Sequence, residues 1–326
     1  WEDTGDHIVL SSDGEHGFIA GKLRHDEGYI ADRNKGCRPM EHVQTWSNGN
    51  SKSHKGMFGR DGSLISQLEG CGAYIAKFKL SNGHWKDRMQ ISPPNGEDIG
   101  GWWIEPGCSP ACSDKGATIT GIVSMGSPER LFITGSFGKA ISVNGEYAWT
   151  SSPYVESWFV AKISWNLDDT MWVGSGPSST TDDFEIHDIV DNGVYDLYVS
   201  GCKDGGKFVG LIAGDGTWGW TNTFGSSCEP TKIGLDPLNG PYVTGTYVQN
   251  NNIDFGGTVL EHSSPIALGH FVAHWDASGN FQWAEDNLHL LQNQGSSSAV
   301  LFNDDARPTG ILVDGDGRVY TCGYIK

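Results

Sequence analysis

Imidazoles and carboxylates are the side chains that move protons or hold cations near neutral pH, so their placement opens the reading. The densest group lies in Thr181-Asp182-Asp183-Phe184-Glu185-Ile186-His187-Asp188. In an extended segment alternate side chains share a face, which puts Asp183, Glu185 and His187 together. That face could supply a general base or weak metal ligands, or be no more than a solvated acidic loop. Asp314-Gly315-Asp316-Gly317 offers two further carboxylates for Ca2+, without the spaced oxygens and closing Glu of an EF-hand. No other cofactor is expected. Trp102-Trp103 beside Glu105 could form an indole platform on which a sugar or another ring stacks, or a hydrophobic cover between sheets. Nothing matches a nucleophile elbow, a P-loop, a dinucleotide fingerprint or a zinc-protease helix.

The elements that must carry these residues are strands. Thr231 to Trp283 is a series of short β-branched and aromatic runs separated by Gly, Asn, Asp, Ser and Pro, without a competing helical period. Its pieces recur. Tyr242-Val243-Thr244-Gly245 returns as Phe18-Ile19-Ala20-Gly21, Phe132-Ile133-Thr134-Gly135, Tyr198-Val199-Ser200-Gly201 and Tyr320-Thr321-Cys322-Gly323. Phe271-Val272-Ala273-His274 returns as Tyr74-Ile75-Ala76-Lys77, Phe159-Val160-Ala161-Lys162 and Phe208-Val209-Gly210-Leu211. Trp85, Trp172, Trp220 and Trp283 each follow a small polar turn. Each unit therefore holds four strands, A to D, in fixed order, and a lone meander of this kind cannot bury its apolar face.

Stacking the copies radially buries it, so the expected fold is an all-β β-propeller over residues 1–326 as one domain. Units start near residues 7, 119, 186, 231 and 309, with a long insertion over 24–70 in the first. Five four-stranded blades follow, six being the alternative. Trp1 to Gly5 reads as the tail of a D strand, so the N- and C-terminal strands would share a blade and close the ring. In such a ring the A strands line a central channel. This nominates His7 and His187 as catalytic candidates, and Thr120, Lys232 and Thr309 as ligand contacts beside Trp102, Trp103 and Glu105. A histidine bonded to a neighbouring carbonyl would account for either imidazole without catalysis.

The cores "aromatic-Val-Thr-Gly", Asp254-Phe255-Gly256-Gly257, Phe271-Val272-Ala273-His274-Trp275-Asp276 and Gly279-Asn280-Phe281-Gln282-Trp283 resemble the bacterial-type extracellular β-propeller repeat. That resemblance implies a scaffold and an extracellular setting, and it carries over no catalytic residue.

Composition bounds the partners. With 40 acidic against 22 basic residues the net charge is −18, which disfavours nucleic acid and anionic membranes. No apolar run nears the length of a membrane span. The absence of Met at Trp1 reads as a processed or trimmed end. Seven cysteines without metal-site spacing read as disulfides of a secreted protein. Cys37 and Cys71 flank the insertion, Cys108 and Cys112 close a short loop, and Cys202 and Cys228 flank the third unit. Cys322, within a B strand, is expected to be free and buried. Two functions remain open. One is a secreted recognition module for a small molecule, glycan or protein. The other is a secreted enzyme with its site at the channel: a lyase, a hydrolase or a cofactor-independent oxygenase of luciferase type.

Overall fold

Each apolar-aromatic run pairs with the next run across a tight turn, so the chain builds antiparallel ladders from near neighbours. The computed structural model describes residues 4–23, 42–45, 51–54, 57–58, 64–66, 72–92, 98–99, 102–103, 117–125, 130–137, 140–149, 157–175, 184–247, 252–261, 269–286 and 307–324. Among them every regular element is a strand. The chain divides into two compact units, Trp1–Thr180 and Thr181–Lys326.

The first unit opens with β1 (Thr4–Leu10) and β2 (His16–Leu23). Short strands β3 (His42–Thr45), β4 (Ser51–His54), β5 (Met57–Phe58) and β6 (Leu64–Ser66) follow within the insertion, then β7 (Gly72–Lys79) and β8 (Trp85–Ser92). Next come β9 (Asp98–Ile99), β10 (Trp102–Trp103), β11 (Thr118–Met125), β12 (Arg130–Phe137), β13 (Ala140–Val143), β14 (Glu146–Trp149), β15 (Ser157–Ser164) and β16 (Thr170–Ser175). Strands β1-β2-β7-β8 form the first sheet, and the hairpin β13-β14 extends it at β8; β11-β12-β15-β16 form the second.

The second unit runs β17 (Phe184–Asp191), β18 (Leu197–Lys203), β19 (Gly206–Ile212) and β20 (Trp218–Phe224) as the third sheet. It continues with β21 (Thr231–Leu235), β22 (Pro241–Tyr247), β23 (Ile253–Asp254), β24 (Val259–Leu260), β25 (Gly269–Trp275) and β26 (Phe281–Asp286). The fourth sheet is β21-β22-β25-β26, and β27 (Arg307–Val313) with β28 (Val319–Tyr324) makes a final hairpin. Within this unit β17, β21 and β27 lie side by side, as β1 and β11 do in the first.

The sheets bury apolar residues by alternation. Phe18, Ile75, Leu131, Ile133 and Phe159 form the centre of the first unit's core. Val209, Phe224, Val243, Phe271 and Trp275 form that of the second. Each such side chain contributes about 1.5–3 kcal/mol by leaving water. The Asp254-Phe255-Gly256-Gly257 turn is closed by its own aspartate. Asp254 Oδ1 accepts the amides of Gly256 and Gly257, while Phe255 stacks on Phe224 of the third sheet at 5.0 Å.

Two sequence expectations change. Thr4 and Gly5 are not the tail of a D strand. They pair with Lys22 and Gly21 inside β1-β2, because a bulge before His7 lets the A strand continue to them. Cys322 is free but exposed rather than buried. Its counterparts Ala20, Thr134, Ser200 and Thr244 are buried under a third strand, whereas no described strand covers β28. Native protein should therefore react rapidly with an aromatic disulfide reagent at Cys322, and Cys322→Ser should remove that fast phase. Of the expected bridges, Cys202–Cys228 is formed, and it joins β18 to the segment after β20. Cys37, Cys71, Cys108 and Cys112 lie outside the described residues.

Candidate functional site

A strands are bulged at one recurring place. The ladder slips at Asp6 in β1, Thr120 in β11, His187 in β17 and Thr309 in β27, each opposite the junction between the B-strand glycine and the small residue before it. A bulge leaves one residue unpaired and re-aims its side chain. The register also shows that His7, facing Ala20, is the counterpart of Asp188, which faces Ser200. His7 and His187 therefore occupy different register positions, His7 in the ladder and His187 at the bulge. Strand β21 has no bulge, and there Lys232 faces Thr244.

The second unit assembles the candidates from β17 and β21 into one cluster. The Thr231 amide donates to His187 Nδ1 at 3.3 Å, with Thr231 Oγ1 3.4 Å from the same nitrogen. Nδ1 is thus an acceptor, and a neutral ring carries its proton on Nε2. Nε2 lies 3.5 Å from Glu185 Oε2, and this contact holds the Glu185 carboxyl below the usual carboxylate range. Asp188 Oδ2 accepts the Ile233 amide at 3.1 Å, and its Oδ1 lies 3.8 Å from Lys232 Nζ. Side chains of β17 thereby satisfy two amides of β21 that would otherwise need a neighbouring ladder.

Thr120 and Thr309 have partners within their own hairpins. Thr120 Oγ1 is 3.2 Å from Thr134 Oγ1, and Thr309 Oγ1 donates to the Cys322 carbonyl at 3.5 Å. Trp102 and Trp103 pair with Ile99 and Asp98 through their backbones. Their side chains, Glu105 and Asp183 lie outside the described residues. Asp314 and Asp316 are both engaged by groups of their own turn and strand. Asp314 Oδ1 accepts the amides of Asp316 and Arg318, its Oδ2 takes the Tyr320 hydroxyl, and the Arg318 guanidinium lies 2.8 Å from Asp316. Among the described residues no three His, Cys, Asp or Glu side chains are grouped to hold a metal.

Two charged sites escaped the sequence reading. Lys207 is fully buried, and its ammonium donates to Ser227 O at 2.7 Å, to Ser227 Oγ at 3.1 Å and to Glu229. Alternation placed Lys207 on the same face as the core residue Val209, which was a legible sign that it needed a buried counter-charge. The second is His274, which stacks on Tyr242 at 4.1 Å and has Nε2 3.3 Å from Asp236 Oδ2. That nitrogen makes no hydrogen bond, so the Asp236 contact is an electrostatic one out of line for donation. Burial pushes the imidazole below its ordinary 6.5, and the Asp236 charge only partly opposes this. Since unfolded His274 takes up its proton first, stability should fall as the pH drops below about 6.5. His274→Phe should flatten that part of a urea-midpoint profile against pH.

The Cys202–Cys228 bridge agrees with an oxidising, extracellular setting, and no described helix is long and apolar enough to cross a membrane. No family model matches the chain, and no curated protein matches it. A solved structure titled "Crystal structure of the eukaryotic initiation factor" is similar at a TM-score of 0.33 and 7% identity, over 86% of this chain and 55% of that one. A likeness of that size transfers neither fold nor function.

Proposed function

We propose that the chain is an extracellular β-propeller recognition module, its blades numbering five with six as the alternative, binding a small molecule, glycan or protein through loops at one end. In a ring of that kind the closing blade would be shared by N- and C-terminal strands, with Thr4 and Gly5 withdrawn from it. One observation carries the preference for binding over catalysis. His187, Glu185, Asp188 and Lys232, the ionisable groups that β17 and β21 bring together, are each engaged by a protein partner. A general base needs a lone pair turned to the substrate, and His187 spends its Nδ1 lone pair on the Thr231 amide. Recognition then falls to the loops, whose carboxylates suit neutral or cationic ligands.

The test is a glycan array together with a thermal-shift screen of neutral and cationic small molecules, run on the wild-type chain, His7→Ala and His187→Ala. Hits that survive both substitutions, with no turnover of the bound compound, support the reading. Turnover that His187→Ala abolishes while the circular dichroism spectrum is retained would replace it with the enzymatic alternative.

A further inference from the structure

Asparagine followed by glycine is prone to modify itself, because a glycine amide has no side chain to keep it from the asparagine carboxamide. Six such pairs occur, of which Asn48-Gly49 and Asn95-Gly96 lie outside the described residues. The other four sit in strand-connecting turns that hold them differently. The Gly83 amide donates to the Lys79 carbonyl at 2.8 Å, while Asn82 Oδ1 accepts the His84 amide at 3.0 Å. The Gly193 amide donates to Asp191 Oδ1 at 2.8 Å, and Asn192 Oδ1 accepts the amides of Val194 and Asp196. Gly240 is buried, and its amide donates to Asp236 Oδ1 at 2.8 Å.

Asn144-Gly145 is held more loosely. It is the two-residue turn of the hairpin β13-β14, closed by the Val143–Glu146 pair, with φ of 51° and 91°. Positive φ at both positions is the type I′ geometry that favours this dipeptide. Asn144 and Gly145 are exposed, and no atom lies within 4 Å of the space a side chain on Gly145 would take. The Gly145 amide donates to Ser142 Oγ at 3.3 Å, a long bond to a rotatable hydroxyl.

We propose that Asn144 is a site of spontaneous deamidation, ahead of Asn82, Asn192 and Asn239. The Gly145 nitrogen, losing its proton, bonds to Asn144 Cγ as the Cγ–Nδ2 bond breaks, and that proton leaves with ammonia. Water then opens the cyclic imide at either carbonyl. Opening at Cγ returns an aspartate. Opening at the main-chain carbonyl leaves isoaspartate, with the chain running through the former side chain. Isoaspartate thus adds a backbone atom and a carboxylate to a turn built for two ordinary residues, and the Val143–Glu146 pair loses its register. Ile141 and Val143, 1% and 0% exposed in the first unit's core, are drawn with it. So is the ladder that joins Ser142 and Val143 to Ser92 and Ile91 of β8. The modification releases the hairpin that extends the first sheet.

The test is to age the intact chain at mildly alkaline pH and map its peptides by mass spectrometry at intervals, beside a sample kept in urea. In the folded chain the peptide carrying Asn144 should convert to its aspartate and isoaspartate forms about tenfold faster than those carrying Asn82, Asn192 and Asn239. In urea the four should convert at similar rates, since glycine follows each. Hydrogen exchange over 140–149 should quicken in step with isoaspartate in the wild type. It should stay constant in Asn144→Gly, which keeps the type I′ turn and cannot form the imide. Equal rates in the folded chain, or a faster Asn82, Asn192 or Asn239, overturn the proposal. The same bias in urea does so too, since it would belong to local sequence, as does conversion at Asn144 that leaves exchange over 140–149 unchanged.

Discussion

Gly201→Ala should destabilise the chain by more than about 3 kcal/mol, with Gly245→Ala costing about 1 kcal/mol. Both glycines end the same repeated motif, so the sequence offers no reason for a difference. The bulge does. A methyl group on Gly201 would sit 1.8 Å from the Glu185 carbonyl oxygen, and one on Gly135 would sit 2.0 Å from that of Thr118. Those carbonyls belong to bulged strands and move only if the ladder is broken. On Gly245, opposite the unbulged β21, the nearest atoms are the far ends of Phe271 at 2.9 Å and Thr231 at 3.2 Å, and side-chain ends can yield. Urea unfolding of the two variants, followed by tryptophan fluorescence, decides the matter. Equal losses would mean that the bulge does not impose the glycine.

Lys207→Met should cost about 3 kcal/mol at neutral pH, and adding Glu229→Gln should restore most of it. The ammonium has three donors and three acceptors, so its removal leaves the Glu229 carboxylate partly desolvated without a counter-charge. Burial raises the Glu229 carboxyl, but the Lys207 and Ser227 hydrogen bonds outweigh it, and the net shift is below the ordinary 4.5. A depressed carboxyl lends stability that is present above 4.5 and lost as pH falls through the folded value. The gap between wild type and Lys207→Met should therefore narrow in acid below pH 4.5. A gap that is constant with pH would assign the lysine a packing role alone. Because Cys228 lies between Ser227 and Glu229, the disulfide and the ion pair hold the same segment against β18 and β19.

Much of the architecture was readable because it is local. Alternating apolar runs and Asx-Gly turns define each strand and hairpin, and Asp254, Asp276 and Asp314 bond their own turns as their types require. Repetition carried the strand order, since in each of the four four-stranded sheets the B strand met its C strand in the same register. Within the candidate site, alternation correctly joined Glu185 to His187 on one face. It could not join His187 to Thr231, or Asp188 to Ile233, because those contacts pass between sheets 44 and 45 residues apart in sequence.

Residue order alone, through its period of two and its turn residues, settled that this is an antiparallel β protein of repeated four-stranded units, and it placed Cys202 and Cys228 at the two ends of the third unit. Tertiary packing decided where each ladder slips, which histidine the slip re-aims, why Lys207 is buried and why Cys322 is not. The division has a physical cause: strand and turn preferences act over a few residues. Bulges, counter-charges and burial depend instead on which neighbouring strand approaches, and that is fixed only when the sheets assemble.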